Sequence, residues 1–143
     1  MGIAMSEADP LEFLGDSKEH HRAALAGSLP PPERDEWPFN WPLWAREAQL
    51  APGGEWRIWL VMAGRGFGKT RAGAEWVRMV AEADPRARIA LVAATLGEAR
   101  SVMVEGESGI LASCPPQRRP AFESSLRRLI WPNGAMATLY SAG

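Results

Sequence analysis

The chain has 143 residues, about one domain's worth, and its 46% hydrophobic and 23% charged residues are ordinary globular values. A net charge of −1 gives no bulk argument for a nucleic-acid or membrane partner, so any such contact has to come from a local patch. Cys114 is the only cysteine, which excludes an internal disulfide; with two adjacent histidines far off in sequence it also argues against a metal cluster, and the usage suits a reducing cytosol.

Residues 1–28 carry acids and a His pair where a signal peptide would need an apolar core. The longest apolar run, Ile58 to Ala63, falls far short of the ~20 residues of a membrane span. Pro10 to Ala26 reads as a weak amphipathic helix with Leu11, Leu14, His21 and Leu25 on one face, and His20 and His21 read as solvated rather than as ligands. Gly27 and Pro30-Pro31-Pro32 end that pattern, and a stiff linker follows to Asp35. Residues 1–36 are therefore expected to be an arm and linker, and 37–143 the domain proper.

The domain opens on Trp37, Trp41, Trp44, Trp56 and Trp59. A buried aromatic layer is the plainer expectation, because Trp buries a large area; a stacking platform for bases is the alternative. Pro42 starts a short helix expected over Leu43 to Leu50, and Pro52-Gly53-Gly54 stops it. On it sits Gln49, twenty residues before Lys69. A carboxamide offers one donor and one acceptor to an adenine edge, whereas an exposed helix-end Gln would do nothing of the kind.

An apolar run, Ile58 to Met62, then leads into Ala63-Gly64-Arg65-Gly66-Phe67-Gly68-Lys69-Thr70, and a helical pattern from Arg71 to Ala83 leads out. Strand, glycine loop, Gly-Lys-Thr and helix is the context a phosphate-binding P-loop requires. Glycines let the backbone curl until its N–H groups converge on phosphate oxygens, and the helix start near Lys69 adds unpaired N–H groups. Lys69 would reach the β- and γ-phosphates of ATP, and the Thr70 hydroxyl would ligate Mg²⁺. Ala63 replaces the usual opening Gly, a departure relaxed P-loops accept. A glycine-rich turn that binds nothing is the alternative, and three glycines with Gly-Lys-Thr in this setting argue against it.

Past the loop, Trp76, Val77 and Val80 are expected to form the helix's buried stripe, and Asp84-Pro85 its end. Arg88 to Ala94 reads as a buried parallel strand, and Thr95 to Glu98 as a capping box for a helix reaching about Glu105. That helix disqualifies Val102-Met103-Val104-Glu105 as a metal-holding strand. Pro132-Asn133-Gly134, between Leu126–Trp131 and Ala135–Ser141, signals a hairpin. Arg118, Arg119, Arg127 and Arg128 form a local basic cluster, read as a solvated face ahead of a phosphate contact.

Four segments carry a family resemblance: Trp44 to Leu50; Trp56 to Val77; Val102 to Leu111, with Val-Glu-Gly-Glu-Ser-Gly; and Leu129 to Ala142, with Trp-Pro-Asn-Gly. On these the chain resembles the N-terminal ATPase part of phage terminase large subunits, among them those of gene transfer agents and related prophages. The resemblance implies an α/β fold, an incomplete P-loop NTPase of the additional-strand type with parallel strands, flanking helices and a C-terminal β-hairpin. It implies a motor that couples ATP hydrolysis, with Mg²⁺, to pumping double-stranded DNA into a procapsid. Partners would be the portal protein and the small terminase subunit, in a ring oligomer on the portal, in the bacterial host cytoplasm and with no membrane. Gln49 matches the family's adenine-contacting Gln, Gly64, Arg65, Gly66, Phe67, Gly68, Lys69 and Thr70 its P-loop, and Arg65 the Arg that approaches the γ-phosphate. Lys69 and Arg65 are thus the candidate catalytic residues, Gln49 and Gly64 to Thr70 the nucleotide-binding ones, and Thr70 the Mg²⁺ ligand.

The family's Walker B Asp and adjacent Glu should follow the hairpin, and no apolar run ending in Asp-Glu occurs in this sequence. A chain cut short, a broken gene and one piece of a split protein would all read this way, and on this reading the chain alone does not hydrolyse ATP. Another P-loop ATPase, such as a helicase-like enzyme, and a non-catalytic remnant that binds only nucleotide or a partner are the alternatives. Topology adds an expectation: the strand at Arg88 to Ala94 pairs with the Walker B strand and not with the P-loop strand. Ile58 to Met62 is therefore left without neighbours, and the chain is expected to fold poorly and to aggregate.

Overall fold

The computed structural model describes residues 36–143. The chain divides by contact into two units, Met1–Pro38 and Phe39–Gly143. The helix expected over Pro10 to Ala26, the His pair and the proline linker lie outside the described residues. Trp37–Phe39 is a single turn of 3-10 helix; every feature described next belongs to the second unit.

Helix α1, Trp41–Trp44, begins with Pro42 in its first turn, where the missing N–H costs nothing. It does not run on to Leu50 as expected. Ala45 and Arg46 are extended, at ψ 147° and 152°, and a separate 3-10 turn, Glu47–Gln49, follows. The physical reason is a local competitor for helix: the Gln49 side-chain oxygen accepts the Arg46 backbone N–H at 2.9 Å.

Helix α2, Lys69–Ala83, is the long element of the unit. It stops where expected, with Asp84 extended ahead of Pro85. Its buried face is Ala72, Ala74, Glu75, Val77, Arg78 and Ala81. Trp76 and Val80, expected in the stripe, are only half-buried, because small residues let the helix lie close to its neighbours while Trp76 turns to Trp56, 6.1 Å away between ring centroids. The aromatic layer is thus local: Trp41 is buried, Trp56 and Trp59 meet edge to face at 6.2 Å, and Trp44 is exposed.

Four strands form one sheet in the order β1-β4-β3-β2: β1 Arg88–Ala93, β2 Ala121–Glu123, β3 Arg128–Ile130 and β4 Met136–Ser141. The β1–β4 pair is parallel, from Arg88↔Met136 to Ala93↔Ser141, and the other two pairs are antiparallel. The architecture is therefore a small mixed α/β sheet with helices on one face. The hairpin stands as expected. Gly134, at φ +101°, completes the turn after Asn133, whose amide donates to the Ala81 carbonyl at 2.8 Å and ties the turn to the end of α2. Leu91, Leu129, Trp131, Ala137 and Leu139 of the sheet region join Val77, Ala81, Val104 and Ile110 in one core. Strand β1 is buried on that face only; Ala90 and Val92 on the other are exposed.

The crossover after β1 begins with the expected cap, the Glu98 N–H donating to Thr95 Oγ1 at 3.1 Å. Helix α3, Leu96–Glu98, continues as a π-helical stretch, Ala99–Val104, so Val102 to Glu105 is helical and no metal-holding strand. Glu105 is paired with Arg100 at 2.9 Å. The Glu-Gly-Glu-Ser-Gly turn leads into α4, Ile110–Ser113. Gly109 is required there by space: a Cβ on it would stand 2.7 Å from the Val104 carbonyl oxygen.

Ile58 to Met62 forms no strand, contrary to expectation. A strand exists through its ladder, and the sheet offers this segment no pairing partner among the described residues. Ile58, Leu60 and Met62 are 85%, 73% and 84% exposed.

Candidate functional site

The loop from Ala63 to Thr70 curls ahead of α2. Gly66 and Gly68 take φ +76° and +87°, left-handed values that suit glycine. Gly68 is also the N-cap of α2, so the loop delivers the backbone to the helix start, where N–H groups have no partner within the helix. The Lys69 ammonium folds back over the loop and donates to the Ala63 and Gly64 carbonyls at 2.6 and 2.7 Å.

Against the loop lies a cavity of about 400 Å³. Gly66, Phe67, Gly68, Lys69, Thr70 and Arg71 form one wall; Ser101, Val102, Gly106, Glu107 and Ser108 form the other. The volume is in the range of small-molecule sites. Its polar side chains are Lys69, Arg71 and Thr70 on the loop side, with the Ser101 and Ser108 hydroxyls and one carboxylate, Glu107, opposite. The second wall comes from the π-helical stretch and the turn after it. Sequence reasoning assigned neither Arg71 nor Glu107 to the site; the one available signal was the specificity of the Val-Glu-Gly-Glu-Ser-Gly segment itself.

Arg71 is held rather than free. Its guanidinium pairs with Glu75 at 2.7 Å and lies 5.8 Å from the Trp41 ring centroid. Glu75 is fully buried and pairs with Arg78 through its other oxygen at 2.8 Å; Arg78 in turn donates to the Phe39 carbonyl at 2.8 Å. A buried carboxylate between two guanidinium groups fixes the first turns of α2 and, with them, the helix end that faces the cavity.

The other expected residues fall as follows. Thr70 lines the cavity, whereas Arg65 is exposed, is not among the residues that form its walls, and has no ion pair among the described residues. Gln49 is not exposed: 8% accessible, it donates from Nε2 to the Phe67 carbonyl at 2.7 Å and accepts the Arg46 N–H. The basic cluster is dispersed into separate contacts. Arg118 meets Glu82 at 3.6 Å, Arg119 donates to the Cys114 carbonyl at 3.2 Å, and Arg128 pairs with Glu123 at 2.5 Å. No group of three or more His, Cys, Asp or Glu among the described residues is placed to hold a metal ion, and no helix there is long and apolar enough to cross a membrane.

Residues 60–143 match the family model of the terminase large subunit, T4-like-virus type, N-terminal part. The chain belongs to that family. Membership places it among the proteins of phage DNA packaging, and the match covers the loop, α2, the sheet and the turn that walls the cavity. No curated protein and no solved structure matches the chain.

Proposed function

We propose that this chain is the ATP-binding part of a DNA-packaging motor, an additional-strand P-loop fold whose nucleotide site is the cavity between the Gly64 to Thr70 loop and the Glu-Gly-Glu-Ser-Gly turn. One observation carries the reading: left-handed Gly66 and Gly68 hand a curled loop to a helix start, with the Lys69 ammonium lying across it. Such a curl binds anions because its N–H groups converge while no side chain intervenes.

The residues present fit ATP with Mg²⁺. Lys69 would exchange the Ala63 and Gly64 carbonyls for phosphate oxygens, and Thr70 would offer its hydroxyl to the cation. Mg²⁺ takes few protein ligands and keeps several waters, so the one hydroxyl at hand suits it. Gln49 lies outside the cavity lining and uses one N–H and one lone pair within the chain, so an adenine edge would have to reach past the loop to engage the second of each. Arg65 is exposed on the loop and outside the cavity lining; brought to the γ-phosphate, its cation would stabilise charge in the transition state. The double-stranded DNA, portal protein, small subunit, ring oligomer and host cytoplasm implied for terminase large subunits extend the same reading, as does the likeness to gene transfer agents.

Equilibrium titration of the chain with ATP and GTP, with and without Mg²⁺, tests it. Lys69→Ala should weaken ATP binding at least ~30-fold, the loss of a charge-assisted contact of about 2 kcal/mol. Thr70→Val should remove most of the Mg²⁺ enhancement, and Gln49→Ala should narrow the preference for ATP over GTP. Unchanged affinity in Lys69→Ala would sink the assignment.

A further inference from the structure

The Phe67 carbonyl oxygen accepts two short hydrogen bonds, from Gln49 Nε2 and from the Arg46 guanidinium, both at 2.7 Å. The same guanidinium lies 5.0 Å from the centroid of the Phe67 ring. Arg46 thus grips one loop residue twice, by its carbonyl and by its ring. Its reach exists because Ala45 and Arg46 are extended, the break that splits the expected helix. Gly68 completes the arrangement: a Cβ there would stand 2.7 Å from Gln49 Nε2 and push the amide off the carbonyl.

Peptide bonds here are trans, and a trans peptide points its carbonyl and the following N–H in opposite directions. Holding the Phe67 carbonyl toward Arg46 and Gln49, neither of which lines the cavity, therefore turns the Gly68 N–H away from them. We propose that Arg46 is a positioning residue for the phosphate-binding loop: its grip on Phe67 sets the Phe67–Gly68 peptide, so that the Gly68 N–H is presented to phosphate before any nucleotide arrives. The inference rests on the loop binding nucleotide phosphates. It concerns phosphate affinity and not the base, which separates Arg46 from the adenine role given to Gln49.

Inorganic tripolyphosphate, which has no base, is the discriminating probe. Arg46→Ala should weaken tripolyphosphate, ATP and GTP by a similar factor, about tenfold. Arg46→Lys, a point charge without the planar fork, should fall between the two. In ¹⁵N-glycine-labelled protein, the Gly68 amide resonance should shift on adding tripolyphosphate, and by less in Arg46→Ala, while the melting temperature without ligand stays within about 3 °C of the parent. A merely structural Arg46 would lower that melting temperature and leave the affinity of the folded fraction intact, which overturns the proposal. So would a loss confined to ATP, or tripolyphosphate affinity equal to the parent's in both Arg46 variants. Lys69→Ala is the control: if it too leaves tripolyphosphate binding unchanged, the phosphate-loop reading fails, and the proposal with it.

Discussion

At the scale of single residues, the buried groups carry consequences that the site does not. Cys114 is fully buried beside Trp131 and the Arg78–Glu82 pair, and burial pushes its thiol up to about 11, with the nearby Arg78 charge acting against the rise. An unfolded cysteine ionises near its reference value of 9.0. Between pH 9 and 11 the unfolded chain therefore holds fewer protons than the folded one, so stability falls as pH rises through that window and is unaffected below it. The loss approaches ~2–3 kcal/mol by pH 11. Denaturant midpoints at pH 8 and pH 10.5 should differ in the parent and differ less in Cys114→Ala. Equal pH slopes in the two would show that another group carries the effect. Gln49 shows what was legible at this scale. The family resemblance marked it for the site, and it does touch the loop. The carbonyl of Phe67 as its partner was illegible, because a backbone acceptor leaves no trace in residue identity. Arg46 stayed hidden for the same reason.

Helix α2 is the element on which the site is mounted, and its stability is concentrated at Glu75. Fully buried, Glu75 neutralises Arg78, whose side chain is itself only 6% exposed, and steadies Arg71 at the cavity wall. Glu75→Gln removes the charge and leaves Arg78 a buried cation with the Phe39 carbonyl and one distant carboxylate, Glu82 at 3.5 Å. Breaking a buried pair in this way costs about 3 kcal/mol. A thermal melt should fall by more than ~10 °C, whereas Arg86→Ala, whose Asp84 partner is solvent-exposed, should move it by less than ~3 °C. Comparable shifts would show that the buried network contributes no more than a surface pair. Helical periodicity revealed α2 and its ends, since capping and Pro85 act locally. It misjudged the buried face, because a charge satisfied by two partners passes for a solvated one in the sequence. The hairpin was legible for the local reason too: Asn133-Gly134 encodes its own turn. The π-helical stretch was not, since it depends on how the Glu-Gly-Glu-Ser-Gly turn packs beneath Ser101 and Val104.

For the unit as a whole, the sheet leaves apolar surface unclaimed. Ile58, Leu60 and Met62 alternate along a segment that forms no strand and are each largely exposed, and Val92 and Tyr140 are each 51% exposed on the outer face of the sheet. Unpaired backbone beside alternating apolar side chains is a template for intermolecular pairing. Ile58→Lys with Leu60→Lys should reduce light scattering on concentration while leaving the melting temperature unchanged. A lowered melting temperature would mean that the segment packs into the fold in solution. The absent strand was illegible from its own residues, which have ample β-propensity; pairing is a property of the neighbours.

On the reading proposed above, the loop from Ala63 to Thr70 and the start of α2 hold the phosphates. Amide hydrogen exchange, followed by peptide mass spectrometry with and without Mg²⁺ and ATP, locates the ligand directly. Slowed exchange confined to peptides covering residues 63–72, with a smaller effect across residues 101–109 on the facing wall, is the expected result. Protection centred instead on Arg100 and Arg127, which line a separate cavity of about 200 Å³, or an exchange pattern indifferent to nucleotide, would contradict it.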